Sequence, residues 1–409
     1  MILNPLQGKR VVLGVSGSIA SYKAADLASK LAQAGAVVDT ILTKAAQEFI
    51  TPLTFQSVTG RRAYSDADLW GSEAHVLHVG LGHEADLLVV APATANTLAK
   101  LAQGQSNDLL SVTALAARCP VLIAPAMDGG MYNHPATQAN LQLLRERGAT
   151  IVGPEEGHLA SGLVARGRMT EPLTVLGHIR HRLSQDGPLA GRRIVVTAGG
   201  TREAVDPVRF LTNHSSGKQG YAVAQAALDA GAAVTLIATT DALPVPIGAE
   251  RIGVNSAAEM LDAVLIACAD ADGLIMAAAV ADFRPAQVAA QKIKKLQGAP
   301  TLELAPNPDI LATVAAERHN LKGLRCVVGF AAETQNLLAN AQSKLERKRL
   351  DLIVANDVTA ENAGFAVETN RVNFLRKDGS RETLPLLSKA EVAAHIVDEV
   401  AQVLRSEAV

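Results

Sequence analysis

Twice in this chain a short run of β-branched residues ends in a glycine turn and leads on to an alanine-rich helix, and no other feature narrows the fold as much. "RVVLGVSG" runs into "SIASYKAADLASKLAQAG" and then "AVVDTILT". Far downstream "RIVVTAGG" passes through a long loop containing "NHSSGKQG" to "GYAVAQAALDAG" and "AVTLIAT". Strand, glycine turn, helix and strand in that order make a βαβ crossover. The alternation continues through "DLLVVAP", "PVLIAPAM" and "ATIVGP" in the first half, and through "GLIMAAA", "RCVVGFA" and "DLIVAND" in the second. The expected class is therefore α/β, with two open, mostly parallel doubly wound (Rossmann-like) sheets whose ligands sit at the carboxyl ends of the strands. Around "RLSQDGPLAGRR" the apolar pattern lapses into polar, Gly and Pro residues. This places a first domain at 1–183, a linker at 184–191 and a second domain at 192–409.

Composition agrees with buried parallel strands under small-residue helices: 48% of residues are hydrophobic and only 3% aromatic. The formal charge of −2 gives no global field to recruit nucleic acid or an anionic membrane. The amino terminus goes straight into a strand without a secretory signal pattern, and no apolar run is long enough to span a bilayer, so a cytoplasmic location is expected. Cys119, Cys268 and Cys326 lack paired or metal-ligand spacing and read as buried, reduced thiols.

The first turn, Gly14 to Ala20, puts backbone amides at a helix start, with the Ser16 and Ser18 hydroxyls beside them and Gly17 between; such a turn can hold a phosphate. It also suits close helix–strand packing alone. It is not the G-x-G-x-x-G fingerprint, and the second strand ends in Thr43-Lys44, without the acid that grips an adenosine ribose, so a mononucleotide fits better than NAD. "APATANTLAK", with Thr94 and Asn96, and "GQSNDLL", with Asn107, bring hydroxyls and amides to a strand end and a helix start. These side chains could bond a phosphate or a flavin ring, or simply cap helices. His75 and His78 share a helix face as a possible metal pair, without a convincing third ligand.

In the second half, "NHSSGKQG" lacks the early glycine and the closing Ser or Thr of a Walker loop, yet remains a Ser- and Gly-rich turn before a helix. Lys292 in "KIKK" and the pair Lys344 and Lys348 supply cations suited to phosphates, although each alone also reads as a solvated surface charge. "MAAAVADF" ends a strand in small side chains that let a nucleobase approach the backbone.

Taken in order, "GVSGSIA", "TKAAQEFITP", His78, "APATANT", "SND" and "PAM" through "PATQ" resemble the flavin-dependent phosphopantothenoylcysteine decarboxylases. "TAGGTRE", "DPVRFLTNHSSGKQG", "AAAVADF", "KIKK" and "NPDI" resemble phosphopantothenate–cysteine ligase. The whole series resembles the bifunctional coenzyme A biosynthesis proteins. That resemblance implies an N-terminal flavoprotein domain and a C-terminal ligase domain. The ligase would join 4′-phosphopantothenate to cysteine through an acyl-cytidylate at the expense of CTP, with Mg2+ bridging phosphates through unassigned ligands. The flavoprotein would then use FMN to decarboxylate 4′-phosphopantothenoylcysteine to 4′-phosphopantetheine, the flavin oxidising the thiol to make an electron sink.

Carried onto this sequence, the resemblance implies flavin contacts at Ser16, Gly17, Ser18, Thr43, Thr94, Asn96 and Asn107, and His78 as base or charge stabiliser. It implies CTP contacts at Ala277, Ala278, Asp282, Lys292, Pro308, Asp309, Ile310, Leu311, Phe330, Lys344 and Lys348. Ser215, Ser216 and Gly217 would hold the substrate phosphate, leaving Lys218 incidental. Lys292 would stabilise formation of the acyl-cytidylate and Asn213 would serve the attack by cysteine. A homo-oligomer is implied, with a trimer-based decarboxylase assembly and a dimeric ligase.

Two positions depart from the family pattern: Asp128 stands where Asn is usual, and Ser161 where Cys is usual. An ionised Asp128 would repel a substrate carboxylate unless burial raised its pKa, and a serine hydroxyl is a far weaker acid than a thiol of pKa ~8.5. The expectation is that His158 or a protonated Asp128 supplies the proton. The alternative is an active ligase whose decarboxylase half is stalled at the oxidised enethiol or is only a flavin-binding scaffold.

Overall fold

The computed structural model describes residues 4–70, 74–294, 301–333, 337–357 and 368–406. It divides into two compact units, 4–183 and the described residues from 184 onward. Each is an α/β doubly wound sheet.

In the first unit six strands, β1 (Arg10–Val15), β2 (Val37–Leu42), β3 (Ala63–Ser65), β4 (Leu87–Ala93), β5 (Val121–Pro125) and β6 (Thr150–Ile151), form one sheet. Its order is β3-β2-β1-β4-β5-β6, and every pair is parallel. Eight helices accompany it: α1 (Ser21–Gln33), α2 (Pro52–Thr59), α3 (Ala74–Glu84), α4 (Ala95–Gln103), α5 (Leu109–Ala116), α6 (Gly129–Asn133), α7 (Pro135–Glu146) and α8 (Pro172–Leu183). Two hydrophobic clusters fill the sheet's faces, one under α1 and α8, the other under α4, α5 and α7. Strands β7 (Glu155–His158) and β8 (Val164–Arg168) form a separate antiparallel hairpin.

The second unit begins with β9 (Arg193–Ala198) and the small hairpin β10 (Arg202–Ala204) and β11 (Phe210–Thr212). After α9 (Lys218–Asp229) come β12 (Ala233–Ala238), β13 (Ala249–Gly253), α10 (Ala257–Cys268), β14 (Gly273–Met276) and the hairpin β15 (Phe283–Pro285) and β16 (Leu304–Pro306). Then follow α11 (Ile310–Glu317), β17 (Cys326–Glu333), α12 (Leu337–Arg347), β18 (Leu352–Asp357), β19 (Thr369–Asn370), β20 (Val372–Arg376), β21 (Arg381–Thr383), β22 (Leu387–Ser388) and α13 (Lys389–Ser406). The main sheet has eight strands in the order β13-β12-β9-β14-β17-β18-β20-β21, parallel as far as β18 and antiparallel over the last two.

Residue 220 must be glycine for α9 to lie on this sheet: a Cβ there would fall 2.5 Å from the Ala198 Cβ and 2.7 Å from the Thr197 carbonyl oxygen. The stretch expected as a linker, 184–191, is packed against the second unit. Leu189 is buried at 1% exposure in that unit's core, and its N–H donates to the Ala230 carbonyl at 2.8 Å.

Cys268 and Cys326 are buried and Cys119 is half-buried, and none of the three is in a disulfide. Burial pushes the Cys268 thiol up to about 12 and also raises Cys119, so neither is a nucleophile near neutral pH. Among the described residues no helix is long and apolar enough to cross a membrane, and no three His, Cys, Asp or Glu side chains converge as a metal site. The His75 side chain and Lys295 lie outside the described residues.

Candidate active sites

In a doubly wound sheet, a crevice opens where two neighbouring strands send their connections to opposite sides, outside the strands' carboxyl ends. In the first unit that place is between β1 and β4. There the Ser16 hydroxyl donates to the Pro92 carbonyl at 2.8 Å and accepts from the Thr94 N–H at 3.0 Å. At 1% exposure, Ser16 is thus a brace between strand ends. A cavity of about 520 Å³ opens beside it, lined by Gly17, Ser18 and Thr94, by Ile19, Met127 and Met131, and by Asp128, His158 and Ser161. Thr94 also caps α4, accepting from the Thr97 N–H at 3.3 Å.

Besides Ser16, four expected residues do not line this cavity. Thr43 accepts from the Ala46 N–H at 3.2 Å, and Asn96 and Asn107 are exposed. The cap of α5 is Asp108, which forms a reciprocal capping box with Ser111. His78 is half-buried on α3, with Nδ1 buried and unpartnered among the described residues. Lys23, missed from the sequence, lines the cavity while buried. Its ammonium donates to the Met169 carbonyl at 2.7 Å and the Glu171 carboxylate at 2.9 Å.

The hairpin β7–β8 closes one side of this cavity. Its register against α6 is set by the Met127 N–H donating to the Gly167 carbonyl at 3.0 Å, and by Arg166 over the Tyr132 ring at 5.6 Å. At its tip the Ser161 hydroxyl donates to Asp128 Oδ2 at 2.7 Å, so the two residues that depart from the family pattern bond to one another. Asp128 also caps α6, accepting from the Gly130 N–H at 2.9 Å. The Ser161 hydroxyl foremost, then the Gly130 and Gly129 amides, hold the Asp128 carboxyl below its ordinary range. Asp128 thus stands as the acceptor of the Ser161 and Gly130 donors, which favours His158 over Asp128 as the proton source.

In the second unit the corresponding place is between β9 and β14. Thr197 Oγ1 accepts from the Ala278 N–H at 3.1 Å, Thr201 Oγ1 accepts from the Ala281 N–H at 2.9 Å, and the Ala279 N–H donates to the Gly199 carbonyl at 2.8 Å. These bonds hold "AAAVAD" open as a backbone shelf. Asn213 Nδ2 donates to the Val280 carbonyl at 3.1 Å, tying the turn before α9 to that shelf.

Between turn and shelf lies a cavity of about 580 Å³. Asn213, Ser215, Ser216 and Gly217 line it, as do Ala277, Ala278, Asp282, Pro308, Asp309, Ile310, Leu311, Phe330, Lys344 and Lys348. Of the expected nucleotide set only Lys292 stands outside, exposed on the segment after β15. Lys348 pairs with Asp309 at 2.9 Å, and Asp309 caps α11 by accepting from the Ala312 N–H at 3.1 Å. Burial pushes the Asp309 carboxyl up, but the Lys348 hydrogen bond, the Ala312 amide and nearby cations outweigh it and hold the group ionised. Lys218 lines the cavity too, its charge matched by Glu368. Sequence reasoning missed Asn356, Asn370 and Lys389 at this cavity.

Two doubly wound units, each with a ligand-sized cavity at its switch point, define a two-site α/β protein of the kind that binds nucleotides or mononucleotide cofactors. A family model described as Flavoprotein matches residues 3–184, and one described as DNA/pantothenate metabolism flavoprotein C-terminal domain matches residues 189–404. The Coenzyme A biosynthesis bifunctional protein CoaBC of Vibrio vulnificus (strain YJ016) is 46% identical over 400 residues, covering 97% of this chain and 98% of the relative. The protein of that name from Bacillus subtilis (strain 168) is 46% identical over 399 residues, covering 97% of each chain. The one from Mycobacterium tuberculosis (strain ATCC 25618 / H37Rv) is 47% identical over 406 residues, covering 96% of each. This chain belongs to the family of bifunctional coenzyme A biosynthesis proteins, which unite a decarboxylase and a ligase.

Proposed function

We propose that the chain makes 4′-phosphopantetheine in two stages: the second unit joins 4′-phosphopantothenate to cysteine using CTP, and the first unit decarboxylates the product with FMN. The observation that carries the ligase stage is the single 580 Å³ cavity around which the anion turn, the backbone shelf and the lysines at 344 and 348 converge. A substrate carboxylate oxygen attacks the α-phosphorus of CTP, pyrophosphate leaves, and the acyl-cytidylate remains. The cysteine amine then attacks the acyl carbon, CMP leaves and the amide forms. Lys344, Lys348 and, from its segment, Lys292 offset phosphate charge, and a bound Mg2+ would add to that neutralisation. The turn at Ser215, Ser216 and Gly217 holds the substrate phosphate at the start of α9, and Asn213 serves the amine's attack.

The first cavity suits a flavin mononucleotide. A Cβ at residue 17 would come 2.5 Å from the Ala45 Cβ, so only glycine keeps this floor low, and the start of α1 faces the cavity beside the apolar walls of Ile19, Met127 and Met131. Gly17, Ser18 and Thr94 would hold the cofactor, which supplies two-electron redox chemistry when bound. With Asp128 engaged as an acceptor from Ser161, His158, which lines the cavity on the same hairpin, is the proton donor. His78, outside this cavity with an unpartnered ring nitrogen, and the exposed Ile19, Tyr22 and Met131 at the mouth favour a homo-oligomer in which a second copy covers the site.

The deciding experiment supplies purified chain with 4′-phosphopantothenate, cysteine and CTP under reducing conditions. Appearance of 4′-phosphopantetheine supports both stages. Product halted at 4′-phosphopantothenoylcysteine, or at an enethiol short by two hydrogens, supports the stalled alternative. No pyrophosphate release overturns the ligase reading.

A further inference from the structure

Lys292 is the one residue of the nucleotide set outside the cavity, and the structure shows what holds its segment. Asp206 sits at the tip of the β10–β11 hairpin with its carboxylate fully buried. Oδ1 accepts from the Val208 and Arg209 N–H groups, each at 2.9 Å. Oδ2 accepts from Arg209 Nε at 2.9 Å, from Arg209 Nη2, and from the Ile293 N–H at 3.1 Å. Arg209 Nη2 also donates to the Ile293 carbonyl at 2.8 Å, so both backbone groups of the residue beside Lys292 are fixed by one ion pair. Farther back, the Ala289 N–H donates to the Val205 carbonyl at 3.0 Å. The other end of the hairpin, Thr212, leads directly into Asn213, which is anchored to the shelf through Val280.

We propose that Asp206 is a positioning residue of the ligase half: by bridging the Arg209 guanidinium and the Ile293 amide, its carboxylate fixes the strap carrying Lys292 to the hairpin that leads into Asn213. The inference rests on the ligase reading of this cavity and adds the device that sets one candidate group relative to the other. Its chemistry is that of a single ionised acceptor. Oδ2 receives three N–H donors and Oδ1 two more, which an amide could not match, because an Asn nitrogen in either place would set donor against donor, at Arg209 and Ile293 or at the Val208 and Arg209 amides. The same donors, the Arg209 side chain first, hold the Asp206 carboxyl far below its ordinary range, so the bridge is intact throughout the neutral region. Misplacing a charge-stabilising group by about 1 Å costs on the order of 100-fold in rate, so a strap released at Ile293 has a kinetic signature.

The test compares Asp206→Asn, Lys292→Ala and the double variant in CTP- and phosphopantothenate-dependent pyrophosphate release, alongside trypsin nicking after Lys292 and Lys294. Asp206→Asn is expected to lower kcat on the order of 100-fold with little change in the KM for CTP, and to speed nicking. The double variant is expected to be no slower than Lys292→Ala alone, because the two losses are one loss. Arg209→Lys, which keeps the charge but not the fork, should fall in the same direction by less and guards against a folding failure of the Asp206 variant. A kcat within about twofold of wild type, or an Asp206 penalty that persists undiminished in the Lys292→Ala background, overturns the proposal. Should wild-type protein release no pyrophosphate, the ligase reading fails instead. Nicking then decides the structural part separately: unchanged nicking in Asp206→Asn overturns it, and faster nicking sustains it.

Discussion

In both units the chain reverses beside its first strand, at β1 and β4 in one and at β9 and β14 in the other, and in both a cavity opens at that reversal. What reaches the cavity differs. In the ligase half every expected nucleotide and phosphate residue but Lys292 lines a single space, whereas in the flavoprotein half Thr43, His78, Asn96 and Asn107 stay outside it and Ser16 is consumed as a brace. A site assembled from strand ends is complete within one sheet.

The largest test of that contrast is Lys292→Ala. If the ligase cavity lacks only its strap, pyrophosphate release should drop by on the order of 100- to 1000-fold while bound flavin, read by absorbance, is unchanged. Next, Asn213→Ala should slow amide formation by about 100-fold yet spare the first stage, so that rapid quench and mass spectrometry find accumulated acyl-cytidylate. Loss of both stages together would dissolve the division of labour between Asn213 and Lys292. On the other side of the comparison, Gly17→Ala pushes a methyl group against Ala45, costing about 1–3 kcal/mol. It should weaken flavin retention roughly tenfold or more, with ligase rates intact.

The smallest effect concerns pH. The Asp128 carboxyl is lowered from an ordinary value of 3.8, foremost by the Ser161 hydroxyl. The Ser161–Asp128 bond therefore contributes fully above that ordinary value and is lost as pH falls through the lowered one. Hydrogen exchange at the β7–β8 tip should accordingly be flat, after correction for intrinsic rates, from neutral pH down to about 4. Asp128→Asn should change tip exchange only slightly and abolish any acid-side rise, because an exposed pair is screened by solvent.

Both main sheets were legible because buried parallel strands such as "VVLGV" and "GLIM" declare themselves as continuous apolar runs bounded by glycine or proline. The hairpin of "EEGH" and "VARGR" was not legible as strands. Its strands have no alternation to read, and their register is imposed by Met127, Gly167 and Tyr132 from elsewhere in the chain. The same holds for the site. Residues immediately after strand β14 were expected there and do line the cavity, since strand ends are where ligands bind. Asn356, Asn370 and Lys389 were missed because their arrival at the ligase cavity depends on how β18, the short pair β19–β22 and the start of α13 close around it. Ser16 and Asp128 look in sequence like free groups, whereas the hydroxyl already donates to Pro92 and the carboxylate already accepts from Ser161.

The docked stretch before β9 has a practical corollary for anyone wishing to study the halves apart. Gly187 allows the chain to turn where a Cβ would sit 2.3 Å from the Ala230 oxygen, and this delivers Leu189 as a plug into the far end of α9's packing. A scission placed after residue 183 leaves the plug with the fragment that needs it. One placed after residue 191 uncorks the ligase half, at a loss of roughly 1.5–3 kcal/mol of burial, and should yield a fragment that melts earlier.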